Sequence, residues 1–207
     1  MSVLGKEEIK KLLQAKRLDQ RLVITPMLNE SQIGPASIDI RLGYDFITTR
    51  RGNLAYIDAG EVDFDANRYQ ARHYVNYKEP FYLHPNELVL ASTLEYVRLP
   101  ISVAASVTSR SAWGRVGLVI ATATAVHPGY TGTITLELVN HGEVPLVLYP
   151  GLSVAQIVLT TAVGSGEYKR PFAGHTDAQF SNIGTQDRRD INFWTPKRPS
   201  IAPEWSP

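Results

Sequence analysis

The sequence of 207 residues contains no cysteine, which excludes disulfide bonds, thiolate catalysis and zinc sites with cysteine ligands. No apolar run without charge reaches the length of about 18 residues that a membrane-spanning helix needs. Charges of the two signs nearly balance, with 21 Lys and Arg against 20 Asp and Glu, which argues against a nucleic-acid partner. The N-terminal residues lack the pattern of a signal peptide. We therefore expect a cytoplasmic protein with neither membrane nor nucleic acid as partner.

Common cofactor and metal motifs are also missing from the sequence. It has no GxxxxGK[ST] phosphate loop, no GxGxxG after a strand and no HExxH. The histidines are scattered without the spacing of metal ligands. The zinc nucleobase-deaminase signature, H-x-E with P-C-x-x-C, cannot occur without cysteine. We expect no protein-bound zinc.

The pattern of apolar residues predicts a mainly-β protein with one short N-terminal helix. Apolar residues recur at helical spacing over residues 6–18 and end at Leu18. From residue 100 onward, short β-rich runs alternate with turns, which favours a sandwich or barrel over a βαβ fold. After Gly164 the composition becomes polar and finally proline-rich. We expect a body over residues 1–164 and a C-terminal flap or arm over 165–207.

Several strands are predicted ahead of residue 100. Alternation over residues 37–43 places Ile38, Ile40 and Leu42 in the core, and leaves Asp39 and Arg41 together on the other face. The two could form an interface pair if that face is covered, but we favour a solvated pair. Residues 50–79 are predicted to be a long loop with one or two short strands. Further strands are expected over residues 81–83, 88–90 and 96–99.

One acidic residue interrupts an otherwise apolar strand over residues 133–139. Alternation places Ile134, Leu136 and Leu138 on one face, and Glu137 on the other among small residues. A carboxylate in such a setting has a raised pKa, which suits proton transfer near neutral pH. Taken alone, the pattern also fits an exposed glutamate, so both interpretations stay open.

A cluster of serines and arginines precedes this strand, at residues 109–115. Arg110 and Arg115 offer planar donor forks for phosphate oxygens, Ser109 and Ser111 add hydroxyl donors, and a helical turn is expected over residues 112–115. The cluster predicts a phosphate site, although a charged surface turn has the same composition.

Several segments, in this order and spacing, resemble a known family. They are ASIDIRLG (36–43), FYLHP (81–85), RSAWGRVGL (110–118), PGYTG (128–132), TLE (135–137), and PG (150–151) with Gln156. Together they resemble the dCTP deaminase branch of the trimeric dUTPase superfamily, over roughly residues 1–160.

The resemblance implies a dUTPase-like β-clip, a distorted jelly-roll, assembled as a homotrimer with sites shared between subunits. It implies zinc-independent hydrolytic deamination of dCTP at C4 of the cytosine ring, which yields ammonia and the dUTP that feeds dUMP and dTTP synthesis. Mg²⁺ is expected to arrive bound to the nucleotide triphosphate.

The resemblance also implies roles for individual residues. Glu137 matches the general acid and base, while Ser111 and Arg115 of a neighbouring chain match residues that position the water, the glutamate and the phosphates. Tyr130 matches a residue that packs near the deoxyribose. The full set of implied substrate-binding residues is Arg110, Ser111, Ala112, Trp113, Gly114, Arg115, Thr122, Ala123, His127, Tyr130, Thr135, Leu136, Gln156 and Gln179.

Two positions depart from the family pattern. Many relatives carry Asp at the position of His127, and in enzymes that also cleave the triphosphate this Asp activates a second water. His127 therefore argues against dUTP diphosphatase activity. In the tail, Gln179 stands nearest to a Lys-Tyr-Gln pattern whose lysine is absent. A dUTP diphosphatase and a non-catalytic nucleotide-binding trimer remain alternatives.

Overall fold

The computed structural model describes residues 2–50, 56–57, 69–121, 125–164 and 174–180. Contacts divide the chain into two compact units, one of residues 1–49 and 71–179, the other of residues 50–70 and 180–207. Of the smaller unit, six residues are described: 50, 56, 57, 69, 70 and 180. Within the described ranges, no helix has both the length and the apolar character needed to cross a bilayer.

Strands make up most of the regular secondary structure in the described chain, as the short β-rich runs predicted. In chain order the elements are α1 (Lys6–Leu13), β1 (Val23–Thr25), a 3-10 turn (Glu30–Gln32), β2 (Ile38–Thr49), β3 (Gln70–Tyr74), β4 (Phe81–Leu83), β5 (Leu88–Arg98), β6 (Val103–Ser109), α2 (Ser111–Gly114), β7 (Leu118–Ile120), β8 (Ala125–Val126), β9 (Thr131–Asn140), β10 (Leu146–Leu148) and β11 (Ser153–Thr161).

The strands form one large antiparallel sheet and one small ribbon. The order in the large sheet is β7-β9-β5-β2-β11-β6-β8, with β1 added beside β5 and β3 beside β2, and β4 pairs with β10 in the ribbon. Neighbouring strands are mostly distant in sequence, so crossovers connect them. This arrangement sets β9 beside β5 and places Leu90 opposite Glu137.

The core lies where the alternating pattern predicted it. Ile38, Ile40 and Leu42 of β2 are fully buried, and so are Leu136 and Leu138 of β9. Burying a side chain of this size stabilises the fold by about 1.5–3 kcal/mol. The hydrophobic effect thus fixes the register of β2 and β9, because a slip of one residue would expose the whole apolar face.

The N-terminal helix is shorter than predicted. It ends at Leu13, and Leu18 is exposed rather than packed. The chain turns after the helix, where Leu22 donates its backbone N–H to Leu12 O at 3.1 Å. The expected helix to residue 18 was therefore wrong in its last five residues, because apolar spacing continues past the point where the backbone leaves the helix.

One long strand, β5, replaces the two separate strands predicted at 88–90 and 96–99. Its middle residues are polar but buried. Thr93 donates its hydroxyl to Glu95 O at 2.8 Å and accepts the N–H of Ile134 at 2.9 Å. A register shift between Ser92 and Tyr96 lets the strand continue through this polar stretch. The polar residues predicted a break between two strands because the sequence does not show the distant partners that bind them.

The predicted solvated face of β2 is covered instead. The Arg41 side chain is 13% exposed, and its Nη1 lies 2.9 Å from the fully buried Glu95. Asp39 pairs with Arg110, at 3.3 Å between Oδ2 and Nη1. The expectation of solvent was wrong because alternation separates the two faces of a strand without showing what packs on each.

Candidate functional site

Glu137 lies on β9, on the face opposite the core. Its side chain is half-buried, as is Thr135 two residues earlier on the same face. Burial raises the pKa of the Glu137 carboxyl above its ordinary value of 4.5. The Ala121 N–H donates to Glu137 O at 2.8 Å, so the end of β7 lies beside this residue. The raised pKa agrees with the sequence-based expectation for this position.

The serine and arginine cluster surrounds α2, a single helical turn that begins at Ser111, one residue earlier than the turn predicted over residues 112–115. Trp113 anchors the turn, because its Nε1 donates to Ser153 O at 3.0 Å on β11. Ser111, Ala112, Gly114 and Arg115 are exposed. The hydroxyl of Ser111 and the guanidinium of Arg115, both part of the predicted anion site, therefore face away from the core of their own chain.

Arg110 and Gln156 are brought together around Asp39. Arg110 precedes α2 and donates its backbone N–H to Val154 O at 3.0 Å. Gln156 of β11 lies opposite Asp39 in the ladder, and its Oε1 is 3.1 Å from Ser37 Oγ. Asp39 thus orients the guanidinium of a predicted phosphate ligand, a role that spacing within one strand did not reveal.

A buried polar network lies beside Asp39. Glu95 accepts the backbone N–H of Arg41 at 2.8 Å and the side-chain amide of Gln32 at 3.0 Å. The same amide donates to Asp39 O at 2.8 Å. Burial raises the pKa of Glu95, and the hydrogen bonds and charge of Arg41 oppose that rise. Sequence reasoning missed this network, whose members are up to 63 residues apart.

The turn between β8 and β9 carries two further predicted site residues. His127 is exposed, and its carbonyl accepts the N–H of Tyr130 at 3.1 Å. Tyr130 is buried in the core, and its hydroxyl donates to Thr133 O at 2.6 Å. The Leu136 side chain also lies wholly within the core. Thr122 and Ala123 lie outside the described residues.

Residues 174–179 of the tail lie against β9, on the larger unit. The backbone N–H of Gln179 donates to Thr135 Oγ1 at 3.1 Å. Two residues that the resemblance implied as substrate contacts are thus joined directly. Thr135 is about 7 Å along the strand from Glu137. The tail and the acid therefore belong to the same part of the molecule.

The arrangement combines two kinds of chemistry. A half-buried carboxyl with a raised pKa can take up and return a proton near neutral pH. Ser111 of α2 and Arg115 directly after it are exposed, so their side chains can bind anions. In the part of the chain that the structure describes, no group of three or more His, Asp or Glu side chains is placed to hold a metal ion.

Comparison with known proteins identifies the fold first. A solved dCTP deaminase from Agrobacterium tumefaciens superposes with a TM-score of 0.57 at 24% identity, over 76% of this chain and 46% of that one. The chain shares the fold of that deaminase and is mainly β with a short N-terminal helix, as the sequence predicted.

The family follows from the sequence comparisons. The model of the dCTP deaminase-like family matches residues 3–162. A dCTP deaminase, dUMP-forming, from Methanosphaera stadtmanae is 40% identical over 89% of this chain and 90% of its own length. A dCTP deaminase from Haemophilus influenzae is 36% identical over 80% of this chain and 87% of its own. The chain belongs to the dCTP deaminase-like family, which confirms the resemblance drawn from the motifs.

Proposed function

We propose that this chain is a hydrolase that deaminates dCTP, with Glu137 as the general acid and base. The observation that carries the proposal is the half-buried Glu137, whose pKa is raised by burial, on the face of β9 that also holds Thr135. Relatives named dCTP deaminase match most of the chain. Their substrate supplies an amine that can leave once protonated.

Glu137 would transfer protons in both halves of the reaction. It takes one proton from water as the water oxygen attacks C4 of the cytosine ring, and gives that proton to N3. It then takes the second proton from the C4 hydroxyl of the tetrahedral intermediate and gives it to the amino group. The C4–N bond then breaks and ammonia leaves, so that dCTP and water become dUTP and ammonia. Ser111 and Arg115 would orient the water and the glutamate, and Arg110 and Gln156 would bind the nucleotide.

The proposed reaction relies on the carboxylate rather than on zinc. Zinc nucleobase deaminases use cysteine ligands, and this chain contains no cysteine. A carboxylate with a raised pKa can act as the base near neutral pH. Mg²⁺ would enter as part of the substrate, bound to the triphosphate oxygens, as it usually is with nucleotides. Such a soluble substrate fits a cytoplasmic enzyme.

The names of some relatives point to a different product, dUMP, whereas His127 points to dUTP. Several relatives, including the one from Methanosphaera stadtmanae, are named dUMP-forming, whereas others are named dCTP deaminase alone. Removing pyrophosphate requires activation of a second water. His127, exposed in the turn before β9, is not a carboxylate. We therefore propose dUTP as the product.

Separate measurement of two products tests this proposal. The protein is incubated with dCTP, dCMP or dUTP and Mg²⁺, and ammonia and pyrophosphate are followed in parallel. We expect ammonia from dCTP with little pyrophosphate. Equal amounts of ammonia and pyrophosphate from dCTP would show that the product is dUMP rather than dUTP. Pyrophosphate from dUTP without any ammonia would indicate a diphosphatase, and nucleotide binding without turnover would indicate a non-catalytic trimer.

We further propose a homotrimer in which each site takes Glu137 from one chain and Ser111 and Arg115 from the next. The exposure of Ser111 and Arg115 supports this arrangement, because both side chains are left to solvent in the single chain. The family resemblance supports it independently. A shared site makes activity depend on assembly.

Mixing two inactive variants tests the shared site. Glu137→Gln and Arg115→Met are co-expressed with different tags, and the mixed oligomers are purified through both. In a shared site, the wild-type Glu137 of one chain meets the wild-type Arg115 of the other, so activity returns. No recovery in verified mixed trimers would place the complete site within one chain.

A further inference from the structure

A segment of the tail, residues 174–179, is held against β9 by backbone hydrogen bonds. Gly174 donates its N–H to Thr131 O at 2.6 Å, and the N–H of Thr133 donates to His175 O at 2.8 Å. The approach is close at Gly132, where φ is +138° and an added Cβ would lie 2.8 Å from His175 O. A glycine is needed there, since a larger residue would meet the tail backbone.

The same segment is fixed at a second place, by a side-chain pair on two other strands. Asp45 of β2 accepts the N–H of Ala178 at 2.8 Å. Arg72 of β3 donates Nη2 to Ala178 O at 2.6 Å, and its Nε lies 3.4 Å from Asp45 Oδ1. Both backbone groups of Ala178 are therefore bound by one ion pair. We name this pair, Asp45 with Arg72, the tail clip.

The hydrogen bonds of the tail clip are buried and charge-assisted. Ala178 is fully buried and Asp45 is 6% exposed. Hydrogen bonds to charged groups are the stronger kind, and a buried group that loses its partner is costly to leave unpaired. Burial raises the pKa of Asp45, and the charge of Arg72 and the Ala178 N–H oppose that rise. The nearby Asp177 also raises this pKa.

The tail clip lies next to the proposed nucleotide site and therefore affects it. Gln179 follows Ala178 directly, and its N–H donates to Thr135 Oγ1. Thr135 shares the face of β9 with Glu137. The Gln179 carboxamide donates to Asp177 O at 2.9 Å, which a change of rotamer would release toward a ligand. Fixing Ala178 thus fixes Gln179, which is bonded to the face of β9 that holds Glu137.

We propose that Asp45 and Arg72 are positioning residues that hold residues 174–179 beside Glu137, so that the tail contributes to nucleotide binding. This inference rests on the proposed deamination. Neither residue touches the reacting atoms. Their contribution is the same in the bound substrate and in the transition state, so their loss raises KM and leaves kcat largely unchanged.

The experiment compares Arg72→Met and Asp45→Asn with the wild-type chain. Arg17→Met is the matched control, because Arg17 also pairs with an aspartate, Asp19, but on an exposed surface. Amide exchange of residues 174–179 is measured by mass spectrometry without nucleotide, and steady-state kinetics are measured with dCTP and Mg²⁺. Asp45→Asn keeps the volume and an acceptor oxygen, so it reports on the pair even if Arg72→Met folds poorly.

We expect both clip variants to accelerate exchange at residues 174–179 and to raise KM by on the order of tenfold, with kcat within about twofold. Arg17→Met should change neither quantity. Unchanged exchange would overturn the clip, and faster exchange with an unchanged KM would overturn its role in binding. A wild-type chain without deaminase activity would overturn the proposed function and the positioning role with it, while the exchange data would still establish whether the clip exists.

Discussion

Two glutamates on adjacent strands of the same sheet both have a pKa raised by burial, but their surroundings differ. Burial raises the pKa of Glu95 on β5 and of Glu137 on β9. Glu95 is fully buried and bound by Arg41 and Gln32. Glu137 is half-buried, on the face where the tail reaches Thr135. A raised pKa therefore does not identify a catalytic acid unless the site around it can admit a substrate.

The comparison makes different predictions for the two residues. Removing Glu95 should lower the stability of the fold, because Arg41 and Gln32 would lose the carboxylate that accepts their hydrogen bonds. Removing the charge of Glu137 should affect chemistry, because its surroundings are the predicted site. Stability and activity can be measured separately, so the prediction for each glutamate can be contradicted without the other.

The largest expected effect on stability belongs to Glu95. Glu95→Ala removes the carboxylate that pairs with the mostly buried guanidinium of Arg41, and it removes an acceptor from Gln32. Breaking a buried ion pair in this way costs about 3–5 kcal/mol of unfolding free energy. Urea denaturation measures the loss, with the exposed Glu143→Ala as control. A loss below about 1 kcal/mol would show that the network is not structural.

The next effect is the pH dependence of turnover. Because burial raises the pKa of Glu137 above 4.5, the acid limb of kcat/KM should lie above pH 4.5. The protonated carboxyl cannot accept a proton from water, so the rate falls about tenfold per pH unit below that pKa. The fold is checked by circular dichroism at each pH. A limb at or below pH 4.5 would mean that Glu137 is not the titrating base.

The smallest effect is that of Glu137→Gln on stability. The glutamine keeps the shape of the side chain and removes a charge that burial disfavours. We expect the unfolding free energy to stay within about 1 kcal/mol of wild type, or to rise. Thermal denaturation measures the change against Glu143→Gln. A loss comparable to that of Glu95→Ala would make the two glutamates equivalent and remove the contrast between them.

The sequence predicted features that depend on one strand or one turn. Alternation placed Leu136 in the core and Glu137 opposite it, because both follow from the two-residue period of β9. The helical turn of α2 and the short N-terminal helix were likewise local patterns. The family motifs added the fold and the family, which no single segment could establish.

The features that were missed depend on partners far apart in the chain. Glu95 is bound by Arg41 and Gln32, and Asp39 by Arg110, pairs separated by 54 to 71 residues. The clip on Ala178 spans a still longer separation, up to 133 residues. Charged residues on a strand are typical of solvent, so only the folded chain shows that these charges are covered.

The central claim is that Glu137 transfers the protons of dCTP deamination. Ammonia release from dCTP is measured for the wild-type chain, Glu137→Gln and the exposed control Glu143→Gln, with nucleotide affinity determined by calorimetry. We predict that Glu137→Gln loses at least about 10²–10⁴-fold in kcat while affinity and stability are kept, and that Glu143→Gln matches wild type. Ammonia release by Glu137→Gln at the wild-type rate would contradict the claim.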